Sequence, residues 1–176
     1  MTVWHVDAAH SYVGFSVRHM MISKVHGNFT QLEGTVEGDP NKLADTKINF
    51  KIDVNSINTN NEDRDNHLRS DDFFNSEKYP EITFSSTKIK EIDEDAYAVI
   101  GDLTIQDHTH ETTFNIKKTG EATNPWGVTV IGFEGETEIS RKQFGLTWNQ
   151  TLETGGVVVS DEVKISLNIE VNPKDE

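Results

Sequence analysis

Apolar residues recur at every second position through most of the chain. In 46–57, Ile48, Phe50, Ile52 and Val54 fall on one side, with Asn49, Lys51, Asp53 and Asn55 on the other. Val163, Ile165, Leu167, Ile169 and Val171 alternate with Lys164, Ser166, Asn168 and Glu170. Tyr97, Val99, Leu103 and Ile105 share a parity, as do Phe114 with Ile116, Ile131 with Phe133 and Ile139, and Val13 with Phe15 and Val17. Period two over so many segments predicts antiparallel strands that bury one face and wet the other. Eight are expected, near 10–20, 26–37, 46–57, 81–90, 96–106, 111–118, 127–139 and 160–171. Turns are expected at Asp93-Glu94-Asp95, at Asp107-His108, and across a longer loop from Gly120 to Gly127 that holds Asn124-Pro125. Eight such strands joined mostly by short loops close into an up-and-down barrel or fold into a sandwich.

Two segments break the alternation. Thr59-Asn60-Asn61-Glu62 fits a capping box, and Glu62 and Asp63 suit the positive end of a helix, which predicts a short helical insertion near 60–74. In Ser140-Arg141-Lys142-Gln143-Phe144-Gly145, serine can cap a single turn and glycine can end it.

Composition narrows the function classes. The chain has 176 residues, the size of one domain spanning 1–176. It has no cysteine, which removes disulfides, thiolate nucleophiles and Cys-containing metal sites. Sixteen Lys and Arg against thirty Asp and Glu give a formal charge of −14, a field that repels nucleic acid and anionic membrane at long range. No apolar run approaches the roughly 18 residues of a membrane span. The opening Met1-Thr2-Val3-Trp4-His5-Val6-Asp7 lacks a basic region followed by an apolar one, so a cytoplasmic protein is expected.

Candidate chemistry is sparse. His108 and His110 in His-Thr-His share a strand face, but no cysteine or telling carboxylate completes a metal set, so no metal is expected. His10-Ser11 is a neighbour pair without a nucleophile elbow, and no phosphate loop or dinucleotide fingerprint is present. The expected catalytic set and cofactor set are therefore empty. Gly14, Gly101, Gly132 and Gly135 sit inside strand patterns, where glycine marks a barrel corner or a close backbone approach. An eight-stranded barrel is either filled by its own side chains or holds one small ligand. With inner faces this apolar, any cargo is apolar.

The residues also resemble a known family. Trp4-x-Val6-Asp7-x-x-His10-Ser11-x-Val13-x-Phe15-x-Val17-x-His19 is similar to the start of the YceI-like family. Val25-x-Gly27-x-Phe29, Arg64-Asp65-x-His67-Leu68, Asp72-Phe73-Phe74, Tyr79-Pro80-x-Ile82-x-Phe84, Gly101-x-Leu103-Thr104-Ile105 and Arg141-x-x-Phe144-Gly145 follow in order. The family commonly has glycine where this chain has Asp107, and many relatives carry a secretory signal. The resemblance implies an all-β, eight-stranded antiparallel lipocalin-like barrel around a long apolar tunnel. It implies binding of a polyisoprenoid or other long amphiphilic lipid, of quinone or polyprenyl type, without catalysis, and often a homodimer.

Tunnel lining is expected from Phe15, Val17, Phe29, Phe50, Phe84 and Leu103, and equally from Phe114, Ile116, Phe133, Ile139, Phe144 and Trp148. Parity alone does not separate lining from ordinary core. His19, Arg64, His67 and Arg141 are candidates to meet a head group or to cap a barrel end, with Arg64 and Arg141 alternatively paired to Asp65 or Asp161. An enzyme acting on a small hydrophobic substrate in the same pocket, and a stress or interaction protein with a filled core, are the competing functions.

Overall fold

The computed structural model describes residues 2–19, 22–146 and 159–173. Eleven strands lie among them: β1 (Val3–Val6), β2 (Tyr12–His19), β3 (Ser23–Phe29), β4 (Leu32–Glu37), β5 (Lys47–Asp53), β6 (Ile57–Asn58), β7 (Glu81–Asp93), β8 (Ala96–Ile105), β9 (His108–Thr123), β10 (Thr129–Ser140) and β11 (Val159–Asn172). Every pairing is antiparallel. The sheet closes because β11 pairs with β10 on one edge and with both β2 and β1 on the other, through Ile165–Phe15 and Val171–Val6. Three staves of the barrel are each made of two strands in line: β1 with β2, β3 with β4, and β5 with β6. The eleven strands thus form the eight expected staves of a lipocalin-like barrel.

The breaks within those three staves are absent from the sequence reading, which has 26–37 and 46–57 as continuous strands. The inward parity changes at each break. Val6 faces in before the first and Val13, Phe15 and Val17 after it; Phe29 gives way to Val36; Ile52 gives way to Ile57. A one-residue slip turns every later side chain to the other face, so each break needs an irregular turn to absorb it. At the first, Asp7 Oδ1 accepts from Ala9 N at 3.1 Å, and Ser11 Oγ accepts from Glu170 N at 3.0 Å in place of a ladder bond. At the other two, Thr30 N donates to Ser56 O and Asp53 N to Gln31 O.

The insertion carries α1 (Glu62–Arg69). Its cap differs from the expected one: Asn61 Oδ1 accepts from Arg64 N at 3.0 Å, and Thr59 is drawn into a buried hydrogen-bond network instead. Glu62, Asp63 and Asp65 in the first turn and His67 and Arg69 in the last complement the helix dipole. The turn Arg141–Phe144 ends at Gly145 in the left-handed region, as expected, but the Ser140 hydroxyl donates to Asp161 Oδ2 rather than capping it. Two turn positions also move: the β8–β9 turn is Gln106-Asp107, and β9 runs on through Gly120 to Thr123. Gly101 is a close approach rather than a corner. A Cβ there would collide with Ser85 O, beside the β7–β8 register shift at Ser86.

Candidate functional site

A cavity of about 420 Å³ runs inside the barrel, within the ~300–1,000 Å³ range of small-molecule sites. The inward parity of every stave supplies its wall. Phe15, Val17, Phe29, Phe50, Phe84 and Leu103 line it, as do Phe114, Ile116, Phe133 and Ile139. Phe84 on β7 and Phe114 on β9 meet edge to face across the intervening β8, at 5.0 Å between ring centres. Phe29 links the tilted ring of Phe15, at 5.6 Å, to the edge-on ring of Phe74, at 6.2 Å.

Phe144 is a correction. It is 1% exposed yet absent from the cavity wall, because the turn that carries it directs the ring against His110, 5.1 Å away. Trp148 lies outside the described residues, and so does the side chain of His19. The wall is larger than the expected lining set, and part of it comes from outside the strands. Leu68, Phe73 and Phe74 come from the insertion, where strand parity gives no signal. Leu43 comes from the β4–β5 connection, where Asp39-Pro40 was the available signal for a helical turn.

The basic side chains of the described wall, Arg18, Arg64 and Arg141, sit at one end, with His67 and Thr59 among them. Strand direction makes this so: β2, β8 and β10 end there, and β3, β7, β9 and β11 begin there. The insertion covers this end, held by Gln106 Nε2 donating to Phe73 O and by Arg69 Nη2 donating to Ile57 O.

The two arginines differ in how they are used. Arg141 is 3% exposed and donates from Nε to Ser160 O at 2.8 Å, from Nη1 to Leu146 O at 2.6 Å and from Nη2 to Val159 O at 3.1 Å. Burial lowers its pKa, and nearby Asp161 works the other way. Asp161 itself is raised by burial, but its bonds from the Ser140 hydroxyl and Lys142 N leave it below the usual carboxylate value. Arg64 is half-buried. Its Nε donates to Thr59 Oγ1 at 2.8 Å and its Nη2 to Thr59 O at 2.7 Å, while Nη1 bonds no described residue. Thr59 Oγ1 donates a hydrogen bond to the buried Asp65 Oδ1 at 2.5 Å, and Thr59 N donates to the same oxygen. Arg64 thus reaches Asp65 through Thr59, and among the described residues no direct ion pair joins them. His67 Nε2 lies 2.9 Å from Asp72 Oδ2.

Away from the cavity, Asp7, His10 and Glu170 bring three ligand-type atoms within 4.8 Å of one another. Asp7 Oδ2 and His10 Nδ1 are hydrogen-bonded at 2.8 Å, which raises the His10 pKa and lowers that of Asp7. His108 and His110 do not converge: His110 Nε2 bonds Gln143 O at 2.7 Å, and His108 Nδ1 lies 3.0 Å from Asp107 Oδ1. No helix among the described residues is long and apolar enough to cross a membrane.

Known proteins share this architecture. A YceI-like domain matches residues 4–171. A UPF0312 protein of Staphylococcus epidermidis is 43% identical over 171 residues, covering 97% of each chain, and one of Staphylococcus aureus is equally similar. Among solved structures, a Campylobacter jejuni YceI protein superposes with TM-score 0.77 at 33% identity over 90% of each chain. Burkholderia cenocepacia BcnA superposes with TM-score 0.82 at 26% identity, covering 94% of this chain and 98% of its own. A polyisoprenoid-binding domain from Saccharophagus degradans shares the fold, with TM-score 0.70 at 16% identity over 99% and 100% of the two chains. With sequence, fold and cavity in agreement over nearly its whole length, the chain belongs to the YceI-like family.

Proposed function

We propose that the barrel binds one long apolar chain of isoprenoid type along its axis, with the polar head at the insertion end, and carries it without covalent change. The observation that carries this reading is the one-ended distribution of charge along an otherwise apolar wall. Such a gradient fits an amphiphile in one orientation. The fold shared with a polyisoprenoid-binding domain supports the same ligand class.

Each methylene leaving water gains about 0.8 kcal/mol, but a bilayer donor already supplies that gain. The barrel therefore has to match the bilayer, and aromatic contacts with a held head group tip the balance. Transfer or storage of this kind needs no nucleophile or general base.

The head is neutral, of quinone type, rather than a diphosphate. Arg141 spends its donors on backbone carbonyls and His67 faces Asp72, which leaves the Arg64 Nη1 edge, with Arg18 at the same end of the wall, to meet a carbonyl oxygen. Five acids at Glu62, Asp63, Asp65, Asp71 and Asp72 outnumber Arg64 and Arg69 on the insertion, so the local field does not oppose the global −14.

Mass spectrometry of an organic extract of the purified protein tests the reading. A stoichiometric long-chain lipid is expected. Displacing a fluorescent long-chain probe with an isoprenoid quinone and with the matching prenyl diphosphate, at low and high salt, tests the head. Tighter binding of the diphosphate, weakened by salt and by Arg64→Ala, would overturn the neutral assignment.

A further inference from the structure

The end of the barrel opposite the insertion is crossed by the β4–β5 connection, the turn Pro40–Asp45. Between adjacent antiparallel staves a short hairpin would suffice. Instead this segment spans the opening to β9, four staves from β4 around the eight. There Asn41 Nδ2 donates to Glu121 Oε1 at 3.1 Å, and Lys118 Nζ donates to Asn41 Oδ1 at 2.5 Å. The near side is anchored as firmly. Asp39 Oδ1 accepts from Asn41 N at 2.9 Å, and Leu43 O accepts from both Thr46 N and Thr46 Oγ1. Strung between these two anchors, the turn buries Pro40 completely and presents Leu43, 2% exposed, to the cavity beside Val36 and Ile48.

We infer that this turn is the floor of the cavity and that Leu43 limits the length of chain the barrel accepts. The inference rests on the proposed binding of an apolar chain. A tunnel open at both ends lets a chain of any length thread through. A blind cavity stops the tail, so every carbon beyond the stop must be compressed or left in water at the mouth. Wall residues on β11 run from Val159 near the mouth to Val171 near the floor. At ~3.3 Å rise per residue and a strand tilt of ~40°, that gives a reach of about 30 Å. Leu43 is apolar and takes no part in the anchoring through its side chain, whereas Asn41 anchors without lining the cavity. Length selection and attachment of the floor therefore belong to different residues and can be separated by mutation.

The test is displacement of a fluorescent long-chain probe by all-trans prenyl alcohols of two to nine isoprene units, taken in single-unit steps. Wild-type affinity is expected to rise along the series and then fall. Leu43→Ala frees room for two or three more carbons and should move the optimum to a longer alcohol, with about tenfold tighter binding of the first member beyond the wild-type optimum, since one buried methylene is worth roughly fourfold. Leu43→Trp should move the optimum the other way. Asn41→Ala should soften the fall at long chains while leaving short chains unchanged, and it keeps the test alive where a Leu43 variant fails to fold. A six-unit prenyl alcohol, about as long as that reach, bearing a diazirine at its tail terminus should crosslink within 40–45. If the alcohols bind but the optimum is the same in all four proteins, the floor does not set length and the inference is wrong while the binding site stands. If none displaces the probe from a folded protein, the floor inference fails together with the binding reading.

Discussion

The two ends of the barrel are built from opposite materials. At the mouth, a half-buried arginine, a threonine and a buried aspartate are bonded in series, and a 3%-exposed arginine is bonded to backbone carbonyls. At the floor, proline and leucine are buried and the polar anchors lie outside, on Asn41, Lys118 and Glu121. Charge is costly inside a protein unless each donor and acceptor is met, so it is kept where the chain can supply partners. Under the proposed binding, the difference between the ends orients an amphiphile: its tail meets only apolar wall at the floor, and its head meets the Arg64 Nη1 edge, which bonds no described residue, at the mouth.

The sharpest way to break this comparison is at Arg141. Arg141→Ala strips hydrogen bonds from three backbone carbonyls and is expected to cost about 3 kcal/mol or more in urea unfolding. Arg64→Ala should cost no more than about 1 kcal/mol and act on ligand affinity instead. Equal losses of stability would show that the two arginines do the same job. Thr59→Val tests the support beneath Arg64. It removes one donor to a buried carboxylate and one acceptor from a guanidinium, for about 2 kcal/mol of stability by the same measurement.

A smaller effect belongs to the middle of the barrel, shared by both ends. Phe84→Trp or Phe133→Trp should cut uptake of a long-chain probe about tenfold by narrowing the path to the floor, with a stability cost of about 1–3 kcal/mol for overpacking. Uptake that survives both substitutions in folded protein would place the ligand elsewhere.

The smallest expected effect concerns the turn between β1 and β2. The Asp7 bond raises the His10 pKa, so its contribution is complete below about pH 6.5, the unfolded value, and is lost as pH rises through the folded one. Asp7 is lowered by the same bond, so its share is present above about pH 4 and lost as pH falls through its folded value. The melting-temperature gap between wild type and His10→Ala should therefore be widest between about pH 4 and 6.5 and close in alkali. A gap that persists unchanged at alkaline pH would assign it to packing.

Strand content, the apolar inner face and most of the cavity wall were legible in the sequence, because alternation is a local signal that closure into a barrel preserves. Phe15, Phe50, Phe84 and Phe133 face the cavity for the same reason that their neighbours face water. Phe144 was not legible, since it sits in a turn where parity has no meaning and a ring contact with His110 sets its direction. The mid-stave breaks were missed because the apolar alternation resumes after each one on the opposite parity.

What the sequence determined by itself is therefore the class of the fold, the polarity of each strand face and membership in an ordered family pattern, all carried by residues near one another along the chain. Only the tertiary structure decided that Arg18, Arg64, His67 and Arg141 share one end, that Arg141 is spent on backbone carbonyls while Arg64 Nη1 bonds no described residue, and that Leu43 meets the cavity from the other end. Those facts depend on staves far apart in sequence meeting around a ring. The Asn41 contacts with Lys118 and Glu121 span 77 and 80 residues of chain. No local pattern encodes such a pairing, because the free energy that selects it comes from closing the barrel.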